Sequence, residues 1–172
     1  MLLEGHARLL LVVHALLGGT LVALTTHHLV WIIRSRRVRR SGEPRFALLA
    51  SVFFVLTFSF GSLLYPTYRV RVRAELLDSA AAVSREIAAR TSPSPSFAAP
   101  RVARLFDVKE HLVALGMFAS LGLYGLSRRT SPTDPATRLL YLSLACFCCA
   151  TTWCGVVIGL YTASIRAVGG FG

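Results

Sequence analysis

Long apolar segments separated by arginine-rich stretches make up most of this chain. Three of these segments, residues 9–33, 46–65 and 139–165, are nearly free of charge and hold at least 20 residues each. At about 1.5 Å of helix per residue, that length crosses about 30 Å of hydrocarbon. The pattern therefore predicts membrane-spanning helices rather than the core of a soluble domain.

A further apolar segment has charged residues at its start. Its charge-free centre, residues 112–127, holds only 16 residues, fewer than the roughly 20 that a span requires. We therefore expect its helix to begin near Leu105, which places Asp107, Lys109 and Glu110 in the first two turns. The whole chain is thus predicted to be one domain, an all-α integral membrane four-helix bundle with spans at residues 9–33, 46–65, 105–127 and 139–165.

The loop between the second and third spans, residues 67–104, is longer than the others. Within it, apolar residues recur at three- and four-residue spacing, namely Val72, Leu76, Ala80, Val83 and Ile87. Such spacing is typical of an amphipathic helix. We therefore expect an extra amphipathic helix that lies on the membrane surface between spans two and three.

Arginine dominates the charge of the chain, whose formal net charge is +11. The short loops at residues 34–45 and 128–138 carry nine arginines against two acids. Because cytoplasmic loops are rich in basic residues, we expect both loops inside and both termini outside, in a bacterial inner or plasma membrane. The arginines crowd the ends of apolar segments, which indicates contact with the lipid bilayer and not with nucleic acid.

Two histidines mark one face of the first span. His14 and His28 are fourteen residues apart, so they lie within about 40° of each other and roughly 21 Å apart along the axis. This spacing resembles that of b-type cytochromes, membrane four-helix proteins in which one helix presents two histidines to two stacked haems. The resemblance covers only this spacing and the four-helix setting, and it implies matching histidines on a second helix.

The third span offers one such match. His111 is expected at the depth of His14 on a parallel helix, near the outer face, whereas the position that matches His28 falls near Tyr124. The two-haem pattern of the resembled proteins is therefore incomplete at the inner end. At most one haem b is implied.

The implied haem site has a defined set of residues. His14 and His111 would ligate the iron, and Asp107 would orient His111. Gly18, Gly19 and Gly116 would leave flat space for the ring. The alternative is that these histidines pack between helices and bond to a backbone carbonyl or a hydroxyl. The sequence leaves both possibilities open.

Charged and aromatic residues gather at the outer ends of spans two and three. Asp107, Lys109 and Glu110 are expected near Tyr65 and Tyr68. Ionisable groups at membrane depth often serve proton or ligand pathways, so this group predicts a polar cavity for a quinone head group or a proton path. The alternative is a clamp of ion pairs with nearby arginines.

Cysteines cluster in the fourth span. Cys146 and Cys149 form a C-x-x-C pair, as in quinone-coupled thiol oxidases and vitamin K epoxide reductase-like proteins, but the second cysteine pair of those proteins is missing. Together with Cys154 they could form a Cu(I) site. The alternative is that they pack as small apolar residues.

Two functions follow from these observations. The first is a small membrane subunit that carries electrons through one b-type haem near the outer leaflet, exchanging them with quinone. The second is a non-catalytic accessory or assembly subunit of a larger membrane complex, with Gly155 and Gly159 allowing close helix contact. The chain has no phosphate-binding loop or zinc-protease motif, and it is not expected to be an enzyme on its own.

Overall fold

The computed structural model describes residues 6–34, 42–64 and 98–168. Its four helices are α1 (Ala7–Arg34), α2 (Glu43–Leu64), α3 (Ala98–Arg129) and α4 (Pro135–Val168). These ranges contain no strand, which confirms the all-α class. The predicted surface helix falls on residues outside the described ranges.

Helix α3 begins earlier than the sequence pattern predicts. It starts at Ala98 rather than near Leu105, so the last part of the predicted loop is helical. Pro100 lies in the first turn, where a missing backbone N–H costs no hydrogen bond because the first amides of a helix have no partner within it. The apolar pattern marks only the apolar part of this helix and not its polar start.

Three of the helices are long and apolar enough to cross a membrane, over Leu9–Arg34, Glu43–Leu64 and Pro135–Thr162. Their apolar side chains face outward. Leu139 is 76% exposed, and Leu16 and Leu160 are each 68% exposed. Many of the buried side chains, by contrast, are hydroxyls or imidazoles. Buried hydroxyl groups beneath an apolar surface, on helices long enough to span a bilayer, fit an integral membrane protein.

Each helix turns one line of residues toward its neighbours, at alternating spacings of three and four. This is the spacing of helices that pack side by side at small angles. On α1 the inward line is His14, Gly18, Leu21, Thr25, His28 and Ile32. On α2 it is Glu43, Ala47, Ala50, Phe54, Thr57 and Gly61. On α4 it is Tyr141, Ala145, Cys148, Thr152, Gly155 and Gly159.

The four helices form a closed ring. Helix α4 packs against both α3 and α1. Helices α1 and α2 meet at both ends, where His14 contacts Gly61 and His28 stacks on Phe46. Helices α2 and α3 meet where Phe54 contacts Gly116. Neighbouring helices therefore run antiparallel, and α1 and α3 lie diagonally across the bundle.

A structured turn joins α3 to α4. The Ala136 amide donates a hydrogen bond to Asp134 Oδ1 at 3.1 Å, which caps α4 immediately before Pro135. The fully buried Tyr141 donates its hydroxyl proton to the Thr130 carbonyl oxygen at 3.0 Å. These bonds hold the two helices side by side at this end of the bundle.

Candidate functional site

We name the two ends of the bundle after residues that lie there. At the Lys109 end, α1 and α3 begin and α2 and α4 finish. At the Glu43 end, α2 begins next to the end of α1. His14 lies at the first end and His28 at the second.

The His14 site, defined as His14, Gly18, Thr57, Gly61 and Lys109, brings three helices together. The His14 ring packs against α2, with its Cε1 atom 3.2 Å from the position that a Cβ atom would take on Gly61. The main chain of Thr57, one turn earlier on α2, also reaches the ring. A Cβ atom at position 61 would fit tightly, and the imidazole would have to shift by a few tenths of an ångström to accept it.

Lys109 closes this site from α3. Its Nζ atom lies 3.4 Å from the position of a Cβ atom on Gly159, so the fourth helix is also close. The ammonium group is near enough to His14 for its charge to act on the imidazole. Lys109 and its neighbours Asp107 and Glu110 each have interaction partners.

Two polar atoms of the His14 site have no hydrogen-bond partner among the described residues. They are His14 Nδ1 and Thr57 Oγ1, both buried, and the Thr57 side chain is only 6% exposed. Buried polar atoms nearly always bond to something, so an unbonded pair indicates a place for a water molecule or a ligand. Gly18, one turn from His14 on the same line, is half-buried with no described atom within 4 Å of its Cβ position. Within the described ranges, the site therefore has open space beside Gly18.

His111 and His14 are not brought together. His111 is exposed, and its Nδ1 lies 2.6 Å from the main-chain carbonyl oxygen of Asp107. Lys109 points into the bundle, and a residue two positions later on a helix is rotated by about 200°. His111 therefore faces away from His14. The backbone carbonyl of Asp107 does bond to His111, and the shared haem stays a prediction.

The predicted glycine space is only partly present. Gly18 borders open space inside the bundle edge, and Gly19 is exposed on the outside of α1. Gly116, on α3, is tightly covered instead: a Cβ atom there would lie 2.5 Å from Thr151 Oγ1 and 2.8 Å from the Phe54 ring. Gly155 and Gly159 face Val113 and Lys109 of α3, so this pair serves a contact within the chain.

The cysteines do not form a cluster. Cys146 and Cys154 are exposed, Cys148 is buried and Cys149 is half-buried, and all four are free thiols. The Cys148 thiol lies 3.7 Å from the Gly116 carbonyl oxygen, and the Cys149 sulfur lies 3.7 Å from Thr26 Oγ1. Across the described ranges, no group of three His, Cys, Asp or Glu residues is placed to hold a metal ion.

The sequence pattern alone does not single out two residues of the His14 site. Thr57 and Gly61 lack any motif of their own, but the alternating three-and-four spacing that begins at Glu43 would have placed both on the inner face of α2. His28 is 2% exposed, although its position beside the arginines resembles that of a surface residue.

No protein-family model, curated protein or solved structure matches the chain.

Proposed function

We propose that this chain is a small integral membrane subunit in which all four helices, α3 included, cross the bilayer. Helix α3 has 32 residues, a length of about 48 Å, and it packs against the apolar α4. Its charged residues lie in its first half and at its last two positions. With the arginine-rich loops in the cytoplasm, both termini face outward and the His14 site lies near the outer leaflet.

The His14 site binds the head group of a membrane quinone. The observation that carries this proposal is the unbonded pair His14 Nδ1 and Thr57 Oγ1 beside the space at Gly18. A quinone carbonyl oxygen accepts hydrogen bonds, and the Thr57 hydroxyl can donate one. His14 Nδ1 donates as well when it carries a ring proton, and it accepts from the hydroxyl of the reduced carrier when it does not. Its apolar tail would leave past Gly18 toward the lipid.

The chemistry of the surrounding groups fits a redox-active carbonyl. An ammonium group in a low-dielectric site stabilises negative charge that develops on a carbonyl oxygen. Lys109 supplies that charge beside His14. The imidazole can exchange a proton with the carrier when its charge changes. The chain itself would bind and orient the carrier, with electrons supplied by a neighbouring redox subunit.

The proposal is tested by filling the space at Gly18. Protein reconstituted with a short-tailed ubiquinone analogue should retain about one quinone per chain. His14→Phe should bind about tenfold more weakly, since one lost hydrogen bond to a polar head group is worth about that factor. Gly18→Leu should also bind more weakly, because its side chain fills the space that the head group needs. The matched control is Gly122→Leu, because Gly122 also has open space but lies on the exposed side of α3. Equal binding by Gly18→Leu and the control would disprove the site.

A haem remains a second candidate because of the hydrogen bond at His111. Histidines that ligate haem commonly bond one ring nitrogen to a carbonyl, and the 2.6 Å contact with Asp107 does this and leaves Nε2 available. The pair His14 and His111 requires α3 to rotate about its axis, whereas His111 alone could share a haem with a neighbouring subunit. A Soret band after purification with haem, lost in His111→Ala, would support a haem. If His14→Ala also loses the Soret band, His14 and His111 are the pair of ligands. If the wild type shows no Soret band, both haem arrangements are excluded.

An accessory role is favoured by small residues on the outside of the bundle. Gly19, Gly122 and Gly125 are exposed and have no described atom within 4 Å of their Cβ positions. Such smooth faces allow another membrane helix to approach closely. A stoichiometric partner that co-purifies with the wild type but not with Gly122→Leu would establish this role, and a clean monomer would count against it.

A further inference from the structure

Polar groups occupy both ends of the bundle interior, not only the His14 site. At the Glu43 end, His28 is 2% exposed and its Nε2 atom is buried with no hydrogen-bond partner among the described residues. Glu43, one turn before Phe46 on α2, is also buried. A second imidazole with a free nitrogen therefore lies roughly 21 Å along the axis from His14.

A layer of hydroxyl groups follows next to His28. Thr25, three residues earlier on the same line of α1, has its Oγ1 atom 3.0 Å from Thr152 Oγ1 of α4. Both threonines are buried, as are Ser51 and Ser120 on the other two helices. Several of these hydroxyls also bond to carbonyls of their own helix, which is their ordinary structural role. The bond between Thr25 and Thr152 is different because it bridges two helices.

One apolar layer separates these hydroxyls from the His14 site. Leu21 is the only residue of the α1 inward line between Thr25 and Gly18, and it is 2% exposed. It lies in one buried cluster with Phe54 and Cys148, against which Val113 and Met117 pack. Polar groups thus lie on both sides of this apolar layer, and a second buried apolar cluster, with Ile32 and Tyr141, lies between His28 and the end of α1.

We propose that this interior is a gated proton path, in which Leu21 and Phe54 form the gate between His28 and His14. Histidine can accept a proton on one ring nitrogen and release one from the other, and hydroxyls or waters can pass it on. A proton would enter from the Glu43 end by way of the buried Glu43 of α2 and pass to His28, since Ile32 and Tyr141 fill the interior beyond His28 on α1. It would then move through the hydroxyl layer and reach His14 once water enters the apolar layer between them. Narrow hydrophobic constrictions conduct when they become wet and block when dry.

Only protons move in this step, so no oxidant or reductant is needed. The groups whose charge acts on the two imidazoles differ: Lys109 acts on His14, and His27 acts on His28. The path does not depend on quinone binding. Proton flux and quinone retention are measured separately, and the failure of one leaves the other standing.

The gate is tested by making the apolar layer polar. Protein is reconstituted into liposomes that contain a pH-sensitive dye, and proton entry is driven by a potassium diffusion potential. Leu21→Ser should raise proton flux about tenfold over wild type because it hydrates the constriction. The matched control Leu21→Val, which keeps the layer apolar, should stay at the wild-type level. Adding His28→Phe to Leu21→Ser should return the flux to that level, whereas His27→Phe, a change at the exposed neighbour, should not.

A flux that does not rise in Leu21→Ser, or a rise that survives His28→Phe, would overturn the proposal.

A second measurement uses the unchanged protein, so it does not depend on the folding of a variant. Water-edited solid-state NMR of histidine-labelled wild type in bilayers should transfer signal from water to the rings of both His14 and His28. A His28 ring that receives none would overturn the path as well.

Discussion

At the scale of single residues, Gly116 decides how closely three helices approach. The Phe54 ring from α2 and the Thr151 hydroxyl from α4 both lie where its side chain would be. Phe54 is itself fully buried, so it has no free direction in which to move. The closest packing of the interior therefore depends on the absence of one methyl group.

Gly116→Ala should destabilise the protein by about 1–3 kcal/mol, because the added methyl group overpacks a filled core. The matched control is Gly122→Ala on the same helix, where the Cβ position is open. Replacing a glycine within a helix at such a position should leave stability equal or raise it by up to about 1 kcal/mol. Unfolding in mixed detergent micelles, followed by circular dichroism, measures both. Equal stability of the two variants would contradict the packing at Gly116.

At the scale of elements, the contacts between helices are specified by a few polar bonds in an apolar setting. Thr25 bonds to Thr152 across α1 and α4, and the Trp153 indole donates to Thr26 Oγ1 at 3.1 Å on the same pair of helices. Asp134 caps α4 at the turn from α3. Because lipid is as apolar as leucine, burial gives little preference for one rotation of a helix over another, and such bonds supply it.

The bond between Thr25 and Thr152 should show a coupling energy of about 0.6 kcal/mol, the usual size for interhelical hydrogen bonds in membranes. The measurement is a double-mutant cycle with Thr25→Val and Thr152→Val. Thr20→Val serves as control, because Thr20 is exposed and bonds only to the Leu16 carbonyl oxygen of its own helix. A coupling of zero would mean that the two hydroxyls do not bond in the membrane.

Removing the cap of α4 should also weaken the hairpin of α3 and α4. Asp134→Ala should cost about 1 kcal/mol of stability, because the first amides of the helix lose their acceptor. Asp134→Asn keeps an oxygen at the same position and should restore most of that loss. If Asn and Ala variants unfold at the same denaturant concentration, the cap does not act as described.

At the scale of the whole molecule, the number of crossings follows from the path of α3. The turn after α3 lies at the Glu43 end, because Tyr141 of α4 packs in one buried cluster with Ile32 near the end of α1. If α3 crosses the membrane, this turn and the loop before α2 lie on one side, and the start of α1 lies on the other.

Labelling of single cysteines tests this arrangement. In a background with the four native cysteines replaced by alanine, cysteines at Gly42 and Ser131 should react with a membrane-impermeant reagent from the same side. A cysteine at His6 should react from the opposite side. With only three crossings, Ser131 would label together with His6, because α3 would then lie on the membrane surface.

Much of the helical framework follows from the chain alone. The predicted spans at residues 9–33 and 139–165 lie within helices Ala7–Arg34 and Pro135–Val168. Segment length and arginine-rich ends determine these elements, because a helix is the form in which a single segment satisfies all its backbone groups in lipid. The unusual positions of His14 and Gly18 inside an apolar run are likewise visible without coordinates.

Which side chains meet was decided only by tertiary structure. Counting residues along each helix gives the depth of a residue in the membrane, and it places His14 and His111 at the same depth. Rotation about the helix axis depends on packing against the neighbours, and it turned Lys109 inward and His111 outward. The depth of a residue is a local property, whereas the direction of its side chain depends on three other helices. The sequence by itself therefore determined the helices and the polar residues within them. Only the folded bundle placed Thr57 and Gly61 beside His14.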